Sequence, residues 1–71
     1  MSEKGSLATV EFYESDHSDK LIGAVCVPAK RLFEDAEVLG KTICKLLHLN
    51  SVFTIYYNHE GGIAAHDTIF R

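Results

Sequence analysis

The sequence predicts an α+β fold of element order ββαββ: a four-stranded, mainly antiparallel sheet with one amphipathic helix packed on one face. Three observations carry that prediction. Two strand-like stretches, 7–14 and 20–27, are separated by a short polar run. A central stretch, 28–49, repeats its apolar residues at helical spacing. Two further strand-like stretches, 51–57 and 63–70, flank a turn with two glycines. Seventy-one residues make one domain at most. The expected organisation is a frayed N-terminus over residues 1–5 and a single small domain over 6–71.

From Leu7 to Glu14 the pattern alternates, with Ala8, Val10 and Phe12 on one side and Thr9, Glu11 and Tyr13 on the other. That is the mark of a half-buried strand. Ser15-Asp16-His17-Ser18-Asp19 is a run of turn formers, so the first two strands form a hairpin. Leu21 to Val27 is almost wholly apolar and reads as a strand buried on both faces. Pro28 suits the first position of a helix, where its missing amide proton costs nothing.

The helix should run to about Leu49. At about 100° per residue, Leu32, Ala36, Leu39, Ile43, Leu46 and Leu47 share one arc, with Phe33, Gly40 and Cys44 at its flank. Lys30, Glu34, Glu37, Lys41, Lys45 and His48 fall opposite, and Val38 and Leu49 project outward. Acidic residues come early and basic ones late, as the helix dipole favours. Asn50 is the expected left-handed residue after the last turn. Gly40 costs about 1 kcal/mol relative to alanine in mid-helix. Neutral drift, close approach to the sheet and a hinge are three readings of it.

One helix covers one face of a sheet, and the strands are too apolar for that to finish the burial. In the third strand Phe53, Ile55 and Tyr57 form the more apolar side, expected to meet the helix, with Val52, Thr54 and Tyr56 opposite. In the fourth, Ile63, Ala65 and Ile69 oppose Ala64, His66, Thr68 and Phe70. Either choice of face for the second and fourth strands leaves apolar groups uncovered, and such a patch marks an interaction site. The residues expected to bind a partner are Tyr13, Val25, Val27, Thr54, Tyr56 and His66.

Composition narrows the chemistry. The formal net charge is −3, and the seven Lys and Arg are spread along the chain rather than gathered into a basic stripe. A nucleic-acid partner is therefore not expected. Cys26 and Cys44 lie in apolar contexts without close spacing and read as reduced, buried small hydrophobes. No apolar run reaches the roughly 18 residues of a membrane span, and no signal-like segment opens the chain, so a cytoplasmic location away from membranes is expected. His17, His48, His59 and His66 show no metal-ligand spacing. His66 and Asp67 are adjacent in a strand, point apart and cannot form a relay. No nucleophile or phosphate-loop motif is present. No catalytic residue, cofactor or metal is expected.

The reading that follows is a non-catalytic protein–protein interaction module, a small inhibitor or adaptor that binds a larger protein or itself as a homodimer. Two alternatives stand beside it. One is a nucleic-acid-binding or regulatory dimer using the helix lysines. The other is a small ligand-binding or enzymatic oligomer with its site at a subunit interface.

Overall fold

The computed structural model describes residues 6–15 and 19–71. The expectation of a frayed 1–5 segment and the loop histidine His17 fall outside the described residues. Strand β1 spans Leu7–Tyr13, β2 Leu21–Pro28, helix α1 Leu32–Leu47, β3 Ser51–Tyr57 and β4 Ile63–Phe70. The sheet order is β2-β1-β3-β4, every neighbouring pair is antiparallel, and the helix packs on one face. The α+β, ββαββ architecture is therefore as the residue patterns predict. Strand β1 is central, so β2 and β3 run the same way without touching as neighbours.

The helix is shorter than its apolar pattern suggests. Pro28 ends β2, with φ −57° and ψ 133°. Its fixed φ suits extended backbone as well as a helix start. A 3-10 turn, Ala29–Arg31, follows, and α1 begins at Leu32. At the other end His48, not Asn50, takes the left-handed conformation, with φ 58°. The Leu49 amide then donates to the Cys44 carbonyl at 2.9 Å. That backbone turn folds Leu49 back onto the core instead of outward.

The helix is also rotated relative to the expected arc. Its buried line is Leu32, Ala36, Gly40 and Cys44, spaced by four. Leu39 and Ile43 pack at its margin, whereas Leu46 and Leu47 are 72% and 52% exposed. The rotation follows from size. A Cβ at Gly40 would sit 2.8 Å from Ile69 Cδ1, so the glycine lets helix and sheet approach closely there. Small residues on the helix admit large ones from the sheet: Val10, Phe12, Val52, Tyr56 and Ile69 fill the core.

The helix lies mainly over β3 and β4, less over β1 and least over β2. Strand β2 is an edge, and only Val27 in it is buried. The expectation of a strand buried on both faces is therefore corrected: its apolar run lines a margin, not the middle of the sheet. Cys26 is likewise exposed, while Cys44 is buried as expected.

Candidate functional site: the open face of the sheet

Pairing register decides which side chains share a face. Val10 lies opposite Tyr56 and Phe12 opposite Thr54 in the β1–β3 ladder. Strand β1 buries Ala8, Val10 and Phe12 against the helix, so β3 must bury Val52, Thr54 and Tyr56 with them. Thr54 is 0% and Tyr56 2% exposed. The Thr54 hydroxyl donates to the Asp67 carbonyl at 3.1 Å, which satisfies the buried polar group. The Tyr56 ring meets Phe33 of the helix edge-on, with centroids 4.8 Å apart.

Four of the six residues expected to bind a partner thus sit on the other side of the sheet. Thr54 and Tyr56 are core residues. Val27, 7% exposed, and the half-buried Val25 pair with Ala8 and Val10 and belong to the helix-side face. The alternation of hydropathy in β3 misleads because both of its faces are apolar. Only Tyr13 and His66 lie on the open face. They are joined there by residues that sequence reasoning assigned to the core, Phe53, Ile55 and Tyr57. The pairing of β3 with β1 would have located them.

Three rows run across this face. Tyr13 of β1, Phe53 of β3 and Thr68 of β4 form one; Glu11, Ile55 and His66 the second; Thr9, Tyr57 and Ile63 the third. A register shift between Tyr56 and Tyr57 brings Ile63 opposite Tyr57, onto the open side rather than beside Ala65, and leaves it 63% exposed. Strand β2 adds Leu21, Ala24 and Cys26. Phe53 and His66 form a tilted ring contact, centroids 5.7 Å apart.

Among the described residues, Glu11 is the only fully charged side chain that the strands place on this face. Both Tyr13 and Tyr57 donate their hydroxyls to its Oε1, at 2.8 and 2.9 Å. Losing a phenolic proton would break that hydrogen bond and set a second negative charge beside the first. Both phenols are accordingly raised above their ordinary value of 10.0, chiefly by the hydrogen bond to Glu11, with burial adding to it. The effect is a tied carboxylate in the middle of an aromatic surface. A shallow hollow of about 370 Å³ borders it, lined by Leu7, Thr9, Glu11 and Tyr57 and by the turn residues Asn58, His59 and Gly61.

A groove of about 390 Å³ runs between the helix and the edge strand β4, walled by Phe33, Glu37, Lys41, Tyr56 and Asp67–Phe70. Lys41 is paired with Glu37 at 3.4 Å. Among the described residues no group of three or more His, Cys, Asp or Glu side chains is placed to hold a metal ion. No helix among them is long and apolar enough to cross a membrane. The chain matches no protein-family model, no curated protein and no solved structure.

Proposed function

We propose that the protein is a non-catalytic interaction module that works by contact, as a small inhibitor or adaptor, through the open face of its sheet. The observation that carries this is one continuous surface of Tyr13, Phe53, Ile55 and Tyr57 left uncovered by the single helix. Aromatic side chains at the centre of a patch are the usual anchors of protein interfaces, because they bury a large area with little loss of rotamer freedom. The one full charge that the described strands place on the face is negative, which favours a protein surface over a phosphate backbone.

The test is a paired substitution. Ile55→Asp puts a second carboxylate opposite Glu11 at the centre of the face, at a modest cost in water and a large one in an interface. Lys45→Gln changes the exposed outer side of the helix. Far-UV circular dichroism should be unchanged in both. Binding activity should be lost in Ile55→Asp and kept within several-fold in Lys45→Gln. Binding that survives Ile55→Asp would remove the open face from the mechanism.

A further inference from the structure

We infer that the open face is closed by a second copy of this chain, related by a two-fold axis that lies in the interface and runs along β3. The inference rests on the interaction reading above and names its partner. Glu11, Ile55 and His66 occupy one row on three adjacent strands, with Ile55 in the middle. Neighbouring strands are about 4.8 Å apart, so the carboxylate and the imidazole stand about equally far on either side of Ile55. Rotating a second copy about an axis along β3 exchanges the two sides. Glu11 of each copy then lies over His66 of the other, and Ile55 over Ile55. A two-fold axis across the strands would instead stack Glu11 on Glu11. The face is thus self-complementary in one orientation, where an imidazole N–H donor meets a carboxylate, and self-repelling in the other, where carboxylate meets carboxylate.

The same rotation lays Phe53 and Tyr57 of one copy along those of its partner, and β1 over β4. Facing sheets keep their strands within about 30° of each other, as this arrangement does. Burial of Glu11 is compensated on all sides. Tyr13 and Tyr57 already donate to Oε1, and the partner's imidazole supplies the donor from above. With the axis on β3, three strands of about seven residues overlap, a face of roughly 14 by 23 Å on each copy, and β2 extends past the partner's β4. That lies below the standard size of stable interfaces, so weak, micromolar association is expected rather than nanomolar.

Sedimentation equilibrium tests this with four samples of the whole chain. The wild type should show a species near twice 7.9 kDa at tens of micromolar. Glu11→Lys and His66→Glu, each alone, should weaken association at least about tenfold, since the first removes the acceptor that faces the partner copy's imidazole and the second sets carboxylate against carboxylate. An equimolar mixture of those two variants should recover it, because the new ammonium of one copy then faces the new carboxylate of the other, and the remaining native pair is Glu11 over His66. Far-UV circular dichroism checks that each variant is folded, and His66 is exposed enough for its replacement to leave the monomer intact. A wild type that stays monomeric overturns the second copy as partner, while loss of another partner by Ile55→Asp would still uphold the interaction reading. A dimer unaffected by both single variants, or a mixture that fails to recover, overturns the orientation. A dimer that also survives Ile55→Asp overturns the face itself.

Discussion

Both faces of this sheet carry large apolar side chains, and they are built in opposite ways. On the covered face, small helix residues, Ala36, Gly40 and Cys44, meet large sheet residues, Phe12, Tyr56 and Ile69, and the surfaces close on each other. Its polar groups are tied inward, as Thr54 is to the Asp67 carbonyl. On the open face the large side chains, Tyr13, Phe53 and Tyr57, stand beside one another in rows and nothing among the described residues covers them. Its carboxylate is held by two phenols at the level of the surface. The difference teaches that apolar content alone does not make a core. Close packing needs complementary sizes on facing elements, and only one face has them.

The contrast can be broken at several points, in falling order of effect. Phe12→Ala removes a fully buried ring and should cost about 3–5 kcal/mol in chemical denaturation, enough to unfold so small a domain. Phe53→Ala, an equal deletion on the open face, should cost well under half of that in the monomer. Equal costs would mean that the open face is also a core.

Gly40→Val should destabilise by about 1–3 kcal/mol, because the added carbons meet Ile69 where a single Cβ would already approach to 2.8 Å. Its thermal unfolding should fall accordingly, although glycine is the poorer helix former of the two. A neutral or stabilising result would show that Ile69 can move aside.

The Glu11 tie gives a smaller, pH-dependent effect. Tyr13 and Tyr57 are raised above 10.0 in the folded chain, so folding holds their protons more tightly than the unfolded chain does. The stability they contribute is fully present below pH 10.0 and is lost as the pH rises through their folded values. Ultraviolet titration of the folded protein should place both phenols above the ordinary value. Glu11→Gln, which keeps an acceptor and removes the charge, should move both back toward it. The smallest effect belongs to the helix exterior. Glu37→Ala removes an exposed pair with Lys41 and should change stability by about 0.5 kcal/mol or less.

The residue pattern by itself determined the order of elements, their class and most of their bounds. Strands β3 and β4 fall where β-branched and aromatic runs predict them, because local turn chemistry at Asn58–Gly62 and backbone preference act within a few residues. It also showed that one helix could not cover both faces. Which face of β3 the helix takes was not legible within that strand, since β3 is apolar on both sides. That choice belongs to the register with β1, whose one-sided alternation carries Thr54 and Tyr56 inward with Val10 and Phe12. The phase of the helix was likewise decided by contact. Gly40 and Cys44 turn inward against Ile69, which leaves no room for a larger side chain at Gly40, and Leu46 and Leu47 are left outside. Periodicity reports only that an element has a side. Pairing and packing, which join residues far apart in the chain, decide what that side meets.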